Sequence, residues 1–155
     1  MAESAPHEHE MFPTLSLPTA EGMVDLRSYS QKNDLLLVFL DENPATDVLR
    51  VVEDLGMRYD DIRAENGEVV AVVHAPPGEA VRLTKELRLR FPVAGDADGT
   101  VVRRFGPKGA GEWSIYLTDR FGEIFFVWEG DGTSPPPPAD EIVNRLKFIE
   151  MQCPE

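Results

Sequence analysis

The pattern of apolar and polar positions divides the chain into strand-like and helix-like segments. From Asp34 to Leu40 the sequence reads "DLLLVFL", and this nearly continuous apolar run is typical of a strand covered on both faces. A second run of the same type, "EVVAVVH", extends from Glu68 to His74. Two buried strands are therefore predicted, and a longer periodic segment lies between them.

That intervening segment has the spacing of a helix. After Pro44, apolar residues recur at steps of three and four, with Thr46 or Asn43 as the candidate N-cap and Asn66-Gly67 as the end. Gly56 lies in the middle and lowers helix stability by about 1 kcal/mol relative to alanine. We therefore expect a kink or a close packing contact at this glycine.

Two hairpins and further helices complete the predicted order. Turn residues place one hairpin around Glu21-Gly22 and another around residues 119–122, where aromatic and β-branched runs lie on both sides. Helices are predicted in "PPGEAVRLTKELRLR", with proline near the first turn, after the turn Asp98-Gly99, and from Pro138 onward. The order hairpin, β, α, β, α, short helix, β, β, α matches a thioredoxin-like α/β fold. We expect a three-layer sandwich whose mixed central sheet is flanked by helices and preceded by an N-terminal β-hairpin.

Length and charge restrict the classes of partner. With 155 residues the chain is most simply one domain, which we predict over residues 11–152, after a polar and disordered tail over 1–10. The tail lacks the basic and apolar parts of a signal peptide, and no apolar run approaches about 20 residues. The net charge of -13 repels polyanions. We expect a cytoplasmic protein that binds neither nucleic acid nor membrane.

The chain contains one cysteine, Cys153. A single cysteine excludes an internal disulfide, and it cannot supply the several thiolates of a cysteine-rich zinc site. Nearby Glu150 and Glu155 disfavour the thiolate, so we interpret Cys153 as a free thiol on the C-terminal tail. Mixed disulfides or a bridge between two chains remain the alternative.

Three segments resemble the AhpC/TSA group of peroxiredoxins, which includes the bacterioferritin-comigratory-type proteins. They are "FPTLSLPTAEGMVDLRSY", "FPVAGDADGTVVRRFG" and "SIYLTDRFGEIFFVW", and the second is the most specific of the three. Together the resemblance covers Phe12 to Ile149. It implies a thioredoxin fold with a reactive cysteine at the N-terminal end of the first long helix.

This sequence departs from the family pattern at that site. Matching Pro44-Ala45-Thr46 to the family's Pro-x-Cys places Thr46 where the catalytic cysteine is expected, and a thioredoxin-type Cys-x-x-Cys would fall on Pro44 and Asp47. Trp113 stands where thioredoxins carry a cis-proline and peroxiredoxins often carry arginine. We therefore predict a vestigial site at Pro44, Thr46, Asp47 and Trp113, without catalytic residues or cofactor.

Other polar residues offer weaker candidates for chemistry. Asp41, Glu42 and Asp47 crowd the predicted site, and we interpret Glu42 and Asp47 as solvated carboxylates that favour the helix N-terminus rather than as acid/base residues. His74 is interpreted as a hydrogen-bonded histidine at a strand end rather than as a catalytic base. His7 and His9 in "HEHE" are weak metal candidates, because ligands on a loose tail are not held in place.

Three functions follow from these predictions. The leading hypothesis is a binding or interaction module that has lost its redox activity and acts with a protein partner or as a homodimer. The second is a thiol-dependent antioxidant or oxidoreductase that uses Cys153 or a partner's thiol. The third is a small-molecule or peptide binder in the vestigial site.

Overall fold

The computed structural model describes residues 5–131 and 133–152. Within these two ranges the chain forms seven strands and five helices, together with a 3₁₀ turn at Leu26–Tyr29. The strands are β1 (Ser16–Thr19), β2 (Gly22–Asp25), β3 (Asp34–Leu40), β4 (Gly67–Val73), β5 (Val93–Gly95), β6 (Trp113–Thr118) and β7 (Ile124–Gly130). The helices are α1 (Thr46–Met57), α2 (Tyr59–Ala64), α3 (Pro77–Glu86), α4 (Thr100–Arg104) and α5 (Ala139–Gln152).

All seven strands form one mixed sheet in the order β2-β1-β5-β4-β3-β6-β7. The pairs β3–β4 and β4–β5 are parallel, whereas β6 is antiparallel to both β3 and β7. Strand β3 lies near the centre, with Leu40 paired to Val73 on one side and to Trp113 on the other. The predicted N-terminal hairpin, formed by β1 and β2, lies at the other edge of the sheet from β7. It joins the sheet by the pairing of β1 with β5.

Strand β3 divides the core into two layers because alternate side chains point to opposite faces. Leu36, Val38 and Leu40 pack under α1, α2, α3 and α5. Leu37 and Phe39 pack on the other face, which is covered by α4 and the segment around Phe12. The continuous apolar pattern of β3 is explained by this coverage on both faces, and the three-layer α/β sandwich predicted from the sequence is confirmed.

The long helix predicted after Pro44 is divided in two. α1 ends at Met57, Arg58 leaves helical geometry, and α2 continues from Tyr59 to Ala64. Gly56 makes the predicted close contact, because a Cβ there would lie 2.9 Å from Leu89 Cδ2. The helix therefore stops where α1 packs against the segment after α3.

Two local predictions were wrong. The N-cap of α1 is Ala45, which offers no capping side chain, rather than Thr46 or Asn43. The short strand β5 was missed, because three residues between Pro92 and Asp96 carry too little alternation to be recognised.

At the N-terminal end, the backbones of His9 and Glu10 hydrogen-bond to the backbone of Ile124. The disordered tail over residues 1–10 stays a prediction, since residues 1–4 lie outside the described part.

Across the described ranges 5–131 and 133–152, no helix combines the length and the apolar character that crossing a membrane requires.

Candidate functional site

The loop between β3 and α1 lies at the carboxyl end of the sheet. It leaves β3 at Asp41, turns at Asn43 with a φ of 52°, and enters α1 through an extended Ala45. Asparagine tolerates this left-handed conformation better than most residues do. A loop of this kind presents the first turn of α1 beside the ends of β3 and β4, where α/β folds commonly bind ligands.

The residues predicted as vestigial lie in two different environments. Thr46 and Asp47 are exposed in the first turn of α1, and Pro44 is half-buried. Trp113, in contrast, is 3% exposed and belongs to the core beneath the helices. The proximity of Thr46 to Trp113 that the sequence suggested remains a prediction.

The side chain of Trp113, on β6, packs against the neighbouring strand β7. A Cβ on Gly130 would lie 2.6 Å from Cζ2 of the indole, so the ring packs directly over this glycine. The recess that Trp113 helps to line has a volume of about 340 Å³ and is formed with Glu112, Glu129 and Gly130. The indole therefore acts as a packing residue between β6 and β7.

A buried carboxylate and a buried histidine meet at the ends of β3 and β4. His74 Nδ1 lies 2.9 Å from Asp41 Oδ1. As whole residues, His74 is 8% exposed and Asp41 is 2% exposed. Glu42 lies beside them, with Oε1 3.6 Å from His74 Nδ1. Of the described residues, Asp41, Glu42 and His74 form a group whose ligand atoms all lie within 4.8 Å of one another.

Backbone contacts fix both members of this pair. The N–H of His74 donates to Leu40 at 2.8 Å, and the N–H of Asp41 donates to Glu112 at 3.1 Å. Asp41 Oδ1 also accepts from the N–H of Glu42 at 2.7 Å. The imidazole lies against Gly99, where a Cβ would come within 2.5 Å of the ring. Gly99 also has a φ of 75°, so both space and backbone conformation favour glycine there.

The pairing of Asp41 with His74 was not predicted from the sequence. The two residues are 33 positions apart, and neither lies in a recognisable motif. A signal was nevertheless present, because Asp41 directly follows the first predicted buried strand and His74 is the last residue of the second. The register Leu40↔Val73 brings the following residues side by side.

A further buried acid, Asp34, lies at the amino-terminal end of β3. Asp34 is 0% exposed, and neither of its carboxylate oxygens has a hydrogen-bond partner. Burial, together with the nearby Glu150 carboxylate, raises the pKa of Asp34 to about 8. This group lies at the amino end of the strand and is therefore separate from the Asp41–His74 pair.

The remaining candidates lie away from this cluster or cannot be placed. Cys153 lies outside the described residues. His7 and His9 are exposed, and His9 Nδ1 lies 3.1 Å from Glu123 Oε2 beside β7. Neither histidine belongs to the three-residue group at the end of the sheet.

Solved structures with the same fold include several peroxiredoxins. A yeast mitochondrial 1-Cys peroxiredoxin aligns with a TM-score of 0.79 and 11% identity, over 95% of this chain and 78% of the other. Peroxidoxin BcpB from Mycobacterium tuberculosis aligns with a TM-score of 0.75 and 13% identity, over 100% of both chains. The bacterioferritin comigratory protein from Xanthomonas campestris aligns with a TM-score of 0.71 and 17% identity, over 88% and 92%.

At these identities the structural likeness establishes the fold alone. A comparison with curated protein sequences gave no match. A sequence model described as the AhpC/TSA family matches residues 9–127, which include the sheet from β1 through most of β7 and the loop at the candidate site. The chain belongs to the AhpC/TSA family.

Proposed function

We propose that this protein is a non-catalytic binding or interaction module of the AhpC/TSA family, with a degenerate redox site at the start of α1. The observation that carries the proposal is Thr46, which occupies the position that the resemblance assigns to the catalytic cysteine. A threonine hydroxyl ionises far above neutral pH, whereas peroxide reduction requires a thiolate. The lone cysteine of the chain, Cys153, is remote from this position in the sequence.

The charges of the loop also support a loss of redox chemistry. A reactive thiolate forms where positive charge or a helix N-terminus lowers the pKa of the thiol. This loop instead carries Asp41, Glu42 and Asp47. The basic group beside Asp41 and Glu42 is the imidazole of His74, whose Nδ1 lies 2.9 Å from Asp41 Oδ1 and 3.6 Å from Glu42 Oε1. Negative charge at this position opposes the ionisation of any thiol.

An apolar patch at the sheet edge supports a role in binding a protein partner or a second copy of the chain. β7 is the last strand of the sheet. Half-buried Phe126 stacks on Trp128 with ring centroids 5.8 Å apart, and exposed Phe148 of α5 meets Phe126 edge-on at 6.1 Å. Aromatic side chains of this kind are enriched at protein interfaces.

The first test measures peroxide reduction directly. We expect the purified protein, supplied with a thiol donor, to consume hydroperoxide at the same background rate as its Cys153→Ser variant. Both rates should equal that of the thiol donor alone, because no thiolate is present at α1. The measurement is a spectrophotometric peroxide assay with a cysteine peroxidase as positive control.

A clear excess of wild-type activity over Cys153→Ser would contradict the proposal. It would instead favour the second candidate, a thiol-dependent antioxidant or oxidoreductase that uses Cys153 or a partner's thiol. The third candidate, a small-molecule or peptide binder at the vestigial site, remains compatible with the absence of peroxidase activity.

A second test introduces the missing sulfur. In a Cys153→Ser background, we expect Thr46→Cys to give a thiol with an ordinary pKa of about 8.5 or higher, because Asp47 and Glu42 offset the helix N-terminus. The pH dependence of alkylation measures this pKa. The matched variant Thr46→Cys with Asp47→Asn should have a lower pKa. A Thr46→Cys thiol already ionised well below pH 8.5 would show that thiolate-stabilising electrostatics persist.

A further inference from the structure

We propose that Asp41, Glu42 and His74 form a binding site for a divalent transition-metal ion of the zinc type. The three side chains converge at the carboxyl ends of β3 and β4, each offering one ligand atom within 4.8 Å of the others. The site is independent of the exposed first turn of α1, and it does not require the proposed loss of redox activity.

The separations within the cluster fit the edges of a metal coordination shell. A zinc ion bound tetrahedrally by nitrogen and oxygen at about 2.0–2.2 Å holds neighbouring ligand atoms about 3.3–3.6 Å apart. The distances from His74 Nδ1 are 2.9 Å to Asp41 Oδ1 and 3.6 Å to Glu42 Oε1. The ligand atoms of Asp41 and Glu42 lie within 4.8 Å of each other. Coordination therefore draws the exposed Glu42 side chain towards the buried pair, with the cation replacing the proton between the imidazole and the Asp41 carboxylate.

A second observation is the unsatisfied oxygen of Asp41. The residue is 2% exposed, and its Oδ2 atom has no hydrogen-bond partner. A buried carboxylate oxygen without a partner costs free energy unless a cation or a donor satisfies it. Because Oδ2 belongs to the carboxylate that already contacts His74, a cation in the cluster can use it as a ligand. Metal binding thus accounts for a polar atom that the protein's own donors leave unpaired.

Solvent access and charge also suit a cation. The side chain of Glu42 is 60% exposed, whereas those of Asp41 and His74 are almost fully enclosed. Glu42 therefore forms the outer wall of the site, through which an ion can enter and where water can complete the coordination. Two carboxylates balance a charge of +2.

The donor set favours one class of metal. One imidazole nitrogen with two carboxylates matches zinc or manganese-like ions, since Mg²⁺ and Ca²⁺ prefer oxygen ligands alone. Contact with Gly99 restricts rotation of the His74 ring, so Nδ1 stays directed towards the cluster. An ion bound there must therefore accept a nitrogen ligand.

The test is calorimetric titration of Zn²⁺ alone into the full chain carrying Cys153→Ser, so that the thiol cannot bind the ion. We expect saturable binding of one ion per chain and an increase in Tm at saturating zinc. His74→Gln should lower the affinity by about 100-fold, and Asp41→Asn and Glu42→Gln by about tenfold or more. Mg²⁺ alone should bind far more weakly.

Two controls separate this site from other sources of binding. Glu53→Gln removes one exposed carboxylate from α1 and should leave the affinity unchanged. The double variant His7→Gln with His9→Gln removes the other two histidines of the chain and should also bind zinc normally. Glu42→Gln is the safest ligand variant, because its exposed side chain makes little contribution to folding.

Two results would overturn the proposal. One is the absence of saturable zinc binding by a folded Cys153→Ser protein. The other is binding that Glu42→Gln and Asp41→Asn leave intact but the His7/His9 variant abolishes, which would assign the ion to the N-terminal segment. Neither result depends on the peroxide assay, so failure here is distinguishable from failure of the proposed function.

Discussion

We expect Asp34→Asn to stabilise the protein at pH 8 and to change its stability little near pH 4. Asp34 is fully buried, neither oxygen has a hydrogen-bond partner, and burial beside Glu150 raises its pKa from 3.8 to about 8. The folded protein thus retains this proton after the unfolded chain has lost it. Stability contributed by the protonated form is complete below about pH 4 and is lost as the pH rises towards 8.

The loss depends on pH in a defined direction. Between the two pKa values the folded state binds more protons than the unfolded state, so the free energy of unfolding decreases as the pH rises. Asparagine has nearly the same shape and cannot ionise. Denaturant unfolding at several pH values from 4 to 9 would measure the difference between wild type and variant.

The matched control is Asp54→Asn, which removes an exposed acid from α1. It reports the general benefit of reducing the net charge of -13. We expect only a small effect that varies little with pH. If Asp34→Asn gave the same modest gain at every pH, Asp34 would be ionised in the folded protein and our account of the buried acid would be wrong.

The second large effect is expected at Trp113. Trp113→Ala should lower the free energy of unfolding by about 3–5 kcal/mol, because it removes a buried indole and leaves a cavity. The ring is packed against Gly130 and belongs to the core that also contains Leu40. Trp113→Arg should lower the free energy of unfolding at least as strongly, because it places a charged guanidinium in the apolar core position of the indole.

Trp128→Ala provides the comparison for this prediction. Trp128 lies on β7, opposite Ile115 of β6, and is only half-buried. Its removal should therefore cost clearly less than the removal of Trp113. Urea unfolding of the two variants measures their free energies of unfolding and shows whether Trp113 acts mainly as a core residue. Equal and small losses would indicate that Trp113 does not support the core.

Periodicity predicted the elements that have a strong local signal. The apolar run of β3 has the predicted bounds, because both faces of this strand are covered and every residue after Asp34 can be apolar. The sequence indicated a kink or a close contact at Gly56, but it did not place the break at Arg58, which is an ordinary helix residue interrupted beside packing contacts. Tertiary contacts of this kind leave no period in the sequence.

The candidate site was predictable only in part. The family resemblance marked Thr46 and Trp113, which lie at the starts of α1 and β6, far apart in the chain and in no shared motif. The pairing of Asp41 with His74 depends on the register of β3 and β4. Polar residues that follow buried strands look like ordinary turn residues until the strands are aligned. The pair becomes visible only when Leu40 is aligned with Val73, one residue before the predicted end of the second strand.

The central position of β3 has a consequence for the order of folding during synthesis. One edge of β3 pairs with β4, but the other pairs with β6, which is translated much later. Until β6 emerges, a seven-residue apolar strand has an open edge, and such edges pair readily with other chains. Nascent chains that stop before β6 should therefore aggregate, and chaperone demand should fall once the β6–β7 hairpin is complete.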